Sequence, residues 1–161
     1  MIDLDIYGIS ALVLIVLYFV IAIKARKRYD VVVESFKDQY AFMFMAPVSL
    51  YIIDHLKIME RLYSQVAKIQ QKMISLYGSR TALQHTRIYV AQLISLILLC
   101  LLGTFVFTLL FDGDVTIFVA GIIFMVLLPF AMVNKLSNQE KERKHQILLE
   151  LPEVVNKIIL L

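Results

Sequence analysis

Uncharged apolar runs alternate with charged stretches along this chain, and the runs set its architecture. Ile6 to Ile23 is 18 residues without a charge, Ile88 to Phe111 is 24, and Val115 to Val133 is 19. At about 1.5 Å per residue the shortest covers roughly 27 Å, just enough for the hydrocarbon core of a bilayer. The first run does not read as a secretory signal. Such a signal has a basic front, whereas Asp3 and Asp5 precede this run and Lys24, Arg26, Lys27 and Arg28 follow it. Only Asp112, Gly113 and Asp114 separate the second run from the third. A link this short predicts an antiparallel hairpin, with Gly113 taking the unusual backbone angles of the reversal. Pro129 near the end of the third run is tolerable in a span if a neighbour or a local kink covers the freed carbonyl.

Between the first two runs the pattern changes. Residues 29–40 are mixed. Tyr40 to Ile53 is apolar but holds Pro47 and is too short to span. It is either a helix packed on protein or a segment lying at the lipid headgroups. From Leu56 onward Met59, Leu62, Val66, Ile69, Met73 and Leu76 recur in steps of 3 and 4. That spacing predicts a seam along which one helix packs lengthwise on another, within the chain or in a homodimer. Gly78 suits a left-handed cap ending it. Thr81 with Gln84 has the spacing of a capping box opening the next helix. Lys57, Arg61, Lys68 and Lys72 lie on the polar side, where Glu60 is the sole acid between Leu56 and Ser79. Lys57 with Arg61, and Lys68 with Lys72, are like charges one turn apart. Two readings stand: a solvated face near anionic lipid, or a docking face for an acidic protein.

After the third run, Ser137 and Glu140 have capping-box spacing, which predicts a new helix there. Glu140 and Lys144 form a favourable pair one turn apart. Ile147, Leu148, Leu149 and Leu151 supply an apolar face, and Val154, Val155, Ile158, Ile159 and Leu161 continue it past Pro152. Pro152 breaks the helical ladder unless it opens a second helix. The sequence stops on an apolar run with no capping residue, which predicts a fragment of something longer.

Composition agrees with a lipid-solvated chain. Of 161 residues 60% are hydrophobic, with a mean hydropathy of +0.79, against about 45–50% apolar in soluble domains. Charge then sets the orientation. Segment 24–87 carries 11 Lys and Arg and segment 134–161 carries 5, which is all 16 in the chain. By the positive-inside rule both segments are cytoplasmic. The expected organisation is an extracytoplasmic stub 1–5, spans 6–23, 88–111 and 115–133, a cytoplasmic helical segment 24–87, an outer turn 112–114 and a cytoplasmic tail 134–161. The fold class is therefore an all-α membrane protein with three transmembrane helices and helical cytoplasmic segments. The net charge of +3 has the same origin and does not point to nucleic acid.

Chemistry-bearing motifs are sparse. The chain holds no Walker-type glycine loop, GxSxG, CxxC or HExxH. His55, His85 and His145 lie far apart, and the single cysteine, Cys100, sits in an apolar run. Spans without acidic or basic residues disfavour a pump or ion transporter. No catalytic, cofactor-binding or metal-ligating residue is expected.

Three stretches carry a resemblance. They are 46–54 (Ala-Pro-Val-Ser-Leu-Tyr-Ile-Ile-Asp), 72–78 (Lys-Met-Ile-Ser-Leu-Tyr-Gly) with Arg87 to Ala91, and 147–157 (Ile-Leu-Leu-Glu-Leu-Pro-Glu-Val-Val-Asn-Lys). Together they resemble the inner-membrane platform proteins of bacterial type II secretion and type IV pilus machines, in the tight-adherence branch. The resemblance implies a non-enzymatic, multi-pass protein of the bacterial cytoplasmic membrane. It also implies cytoplasmic F domains that contact an assembly ATPase, pilin-like subunits, and copies of itself or a paralogue. One such domain would start near Gln146, so only its first helix falls within this sequence. The other class that fits is a membrane-anchored signalling or scaffold protein with a helical cytoplasmic module.

Overall fold

The computed structural model describes the backbone of residues 2–37 and 39–159 and the side chains of 8–37, 39–150 and 152. These residues form six helices: α1 (Ile2–Ser35), α2 (Ala46–Leu56), α3 (Ile58–Arg61), α4 (Tyr63–Tyr77), α5 (Ala82–Leu110) and α6 (Val115–Ile159). Three of them, α1, α5 and α6, are long and apolar enough to cross a membrane. The protein is an all-helical, multi-pass membrane protein. Helix α5 is central and touches α1, α2, α4 and α6.

The spanning helices run well past the apolar stretches that predict them. Helix α1 has 34 residues and carries its basic cluster on as far as Ser35. Ala25 and Tyr29 in that extension are buried, so it is a packing element beyond the span. The side chains of Asp3 and Asp5 lie outside the described residues. Helix α6 has 45 residues, about 67 Å of helix. It passes through Pro129, Ser137 and Pro152 without ending. The helix start expected at Ser137 is thus absent. The Ser137 hydroxyl donates backwards to the Val133 carbonyl at 3.2 Å, the usual bond of a serine inside a helix rather than at its cap. The apolar positions expected at Leu151 and beyond Pro152 fall on side chains outside the described residues.

The hairpin turns at Asp112 (φ 54°) and Gly113 (φ 80°). The Asp114 carboxylate accepts the Thr116 backbone N–H at 2.8 Å, which supplies a partner for one free donor at the start of α6. Higher in the hairpin the helices approach closely. A Cβ added at Gly121 would overlap the Thr104 side chain, so a glycine is needed there, as is common where helices meet in lipid.

Helix α2 shows where the 40–53 segment goes. Pro47 lies in its first turn, where proline's missing N–H costs nothing. Ala46, Val48, Ser49, Leu50 and Ile53 are buried. Small residues let α2 press against α5, and the Ser49 and Ser95 hydroxyls meet at 2.8 Å. Val48 and Ile52 share a small apolar cavity with Leu17 and Ile21 of α1 and Leu98 and Leu102 of α5. The segment therefore packs on protein, at the depth of the spans.

Two clusters form the core, both at the basic end of the spans. One joins Ala25 and Tyr29 to Met43, Ala46, Leu50, Ile53, Ile88 and Ala91; the other joins Met73, Leu76, Ala82, Tyr89 and Leu136.

Candidate functional site

The expected seam is split. Helix α2 stops at Lys57, which takes left-handed angles (φ 51°, ψ 42°), and a second break falls at Leu62 (φ −105°, ψ 32°). Leu62 is consequently 46% exposed, while Val66, Met73 and Leu76 are buried. Met59 packs half-buried on the first core cluster, and Ile69 reaches both. The seam along α4 therefore runs from Val66 to Leu76 and faces α5 and α6. Gly78 follows it with φ 82° and ψ 163°, a glycine conformation but not the left-handed helical one expected. The box at Thr81 does not form, because its hydroxyl donates to the Tyr77 carbonyl at 2.9 Å.

The four basic positions do not share one free face. Lys57 is exposed and lies 3.9 Å from the Glu60 carboxylate. Arg61 and Lys68 are exposed. Lys72 instead turns inward and donates to the Ser137 hydroxyl of α6. Beside it, Arg143 of α6 donates to the Leu76 carbonyl, one of the carbonyls left without an intrahelical partner at the end of α4. Cations at that end also suit the helix dipole. The Tyr89 hydroxyl donates to the Met132 carbonyl at 2.8 Å, so α4, α5 and α6 are tied by polar bonds as well as by packing.

Sequence reasoning missed a second polar node. Arg87 of α5 donates to both Asp54 carboxylate oxygens at 2.7 Å, and the Tyr29 hydroxyl of α1 donates to the same carboxylate. Three helices meet on one acid. A shared carboxylate of this kind has no signature in sequence spacing, because its partners lie 25 and 33 residues away.

A third node surrounds His85. Its ring stacks on Tyr77 with centroids 3.9 Å apart, meets Phe36 edge-on at 5.3 Å, and shares a 2.8 Å hydrogen bond with the Tyr40 hydroxyl through Nδ1. Burial pushes the Tyr40 phenol far above its ordinary range, and the Tyr77 hydroxyl adds to the shift. Among the described residues no three His, Cys, Asp or Glu side chains stand close enough to hold a metal ion.

Next to this cage lies a cavity of about 300 Å³ between α4, α5, α6 and the turn before α2. Its walls include Gln39, Tyr40, Tyr77, Gln92, Lys135 and Gln139. Gln92 stands near the start of the second apolar run, and nothing in its spacing shows what it faces.

No protein-family model, curated protein or solved structure matches this chain.

Proposed function

We propose that this chain is a non-enzymatic platform component of a bacterial type II secretion or tight-adherence pilus machine. In this reading its N-terminus is outside the cytoplasmic membrane and its basic side faces the cytoplasm. There it docks an assembly ATPase. The observation that supports it best is the course of α6. The helix leaves the spans, is pinned to α4 through Lys72 and Arg143, and then carries residues 147–150 exposed beyond that tie. Ile147, Leu148 and Leu149 are 51–67% exposed there, on the segment that resembles the start of an F domain. A platform presents such an arm to partners. An anchored scaffold has no need to hold it rigidly against the spans.

The test is co-purification from detergent with an assembly ATPase from the same cell. Wild type should capture it at low salt. The triple change Lys57→Glu, Arg61→Glu, Lys68→Glu should weaken capture and its salt dependence, since exposed charges act mainly on association rate. Lys72 is spared because it holds α6. The purified chain should not turn over ATP. A cysteine at Asp112, in a Cys100→Ala background, should react with an impermeant thiol reagent in intact cells. Loss of ATPase capture under all conditions favours the scaffold reading, and labelling only after lysis reverses the orientation.

A further inference from the structure

The cavity beside His85 sits at a particular depth. Counted back from the hairpin, Gln92 on α5 and Met132 on α6 stand about equally far from it, near the end of the third apolar run at Val133. The cavity therefore straddles the level where hydrocarbon gives way to headgroups. Its lining is unusual for that depth. Among the described residues Lys135 is the one charged side chain lining it, and three amides (Gln39, Gln92 and Gln139) line it as well. Glu140, the next residue on α6, is occupied by Lys144 at 2.6 Å.

Gln92 is the decisive residue. It is 7% exposed, lines the cavity, and makes no side-chain hydrogen bond to the other described residues. No described side-chain nitrogen or oxygen is buried without a partner, so the Gln92 amide opens on the cavity space, where its hydrogen-bonding capacity is left for a ligand. Gln92 shares the lining of this cavity with Gln39, Gln139 and Lys135, three exposed residues. Amide donors beside a lysine, the one charge among the described lining residues, suit an anionic, oxygen-rich group. Basic pockets between spanning helices at this depth take anionic lipid headgroups.

We infer that this cavity binds the phosphodiester headgroup of an anionic phospholipid from the adjoining leaflet, with Gln92 and Gln139 donating to its oxygens and Lys135 countering its charge. The bound lipid fills the space between α4 and the α5–α6 hairpin and so couples the module to the bilayer.

The full chain, reconstituted in bilayers of mixed phosphatidylglycerol and phosphatidylcholine, is extracted and its retained lipid counted by native mass spectrometry. Phosphatidylglycerol should be retained over phosphatidylcholine at about one per chain. Lys135→Gln should lower retention about fivefold. Gln92→Leu should lower it about tenfold, by removing bonds to a charged group. Lys141→Gln, an exposed lysine of α6 outside the cavity, should change nothing. Should Gln92→Leu fail to fold, the exposed Lys135→Gln still carries the test. Equal retention of the two lipids, or an equal loss from Lys141→Gln, overturns the proposal. Millimolar glycerol phosphate or inorganic phosphate should not displace the lipid. If either does, the site takes a soluble phosphate and the lipid is not its ligand.

Discussion

The basic end of the molecule and the hairpin above it are held together differently. At the basic end, Leu50, Ile53, Met73 and Ile88 are each 1% exposed, and Ser49, Thr86 and Ser95 are buried with their hydroxyls bonded. In the most apolar stretch of α6 no residue is buried within the protein. Leu127, Phe130 and Val126 are more than half exposed there. In water such a surface would collapse. In lipid it is already solvated, so burial adds little and packing geometry decides. The spans therefore gain little from apolar burial, and the buried hydrophobic clusters lie at their basic end.

That contrast is sharpest under truncation. Leu50→Ala removes a side chain enclosed by α1, α2 and α5 and should cost about 2–5 kcal/mol. Leu127→Ala makes the same chemical change on a surface covered by lipid tails in both the folded and the unfolded membrane state. It should cost less than about 0.5 kcal/mol. Unfolding by dodecyl sulfate titration in mixed micelles measures both. Comparable losses would mean that the third span packs on something that covers Leu127.

The hairpin has one place where geometry is tight, and it offers a smaller effect. Gly121→Leu puts a side chain where Thr104 already stands. It should splay α5 from α6 and cost about 1–3 kcal/mol. Crosslinking between cysteines at Leu99 and Phe124, which share a groove, should fall in the variant. An unchanged crosslinking yield would show that the two helices slide rather than separate.

The spans and the hairpin were legible because lipid imposes a hard rule: a helix of about 18 or more residues without charge has few other uses. Gly113 was legible for a similar reason, since its φ of 80° suits glycine. The helix breaks were not. Lys57 and Leu62 are ordinary helix formers, so no residue preference marks the breaks there. Ser137 misled for the opposite reason. Its spacing to Glu140 fits a cap, yet its hydroxyl serves the Val133 carbonyl and receives Lys72. Local pattern cannot tell these uses apart. The cavity was hidden because its walls come from four separate parts of the chain.

The smallest expected effect tests the shortened seam. The 3-and-4 spacing makes Leu62 equivalent to Ile69 and Leu76, and a continuous helix from Met59 would bury all three. The break at Leu62 instead leaves it 46% exposed between α3 and α4. A polar residue there meets water, so Leu62→Asp should shift stability by no more than about 0.5 kcal/mol. The carboxylate would also fall at the start of α4, where a negative charge suits the helix dipole. Limited proteolysis in detergent reads the outcome, because the α3–α4 junction is the exposed backbone that a loosened module would release first. The variant should be cut at the wild-type rate. Val66→Asp, one turn further on at a buried site, should be cut much faster. If the two variants are cut equally fast, Leu62 is enclosed in the membrane-embedded protein, and the seam extends to Met59 after all.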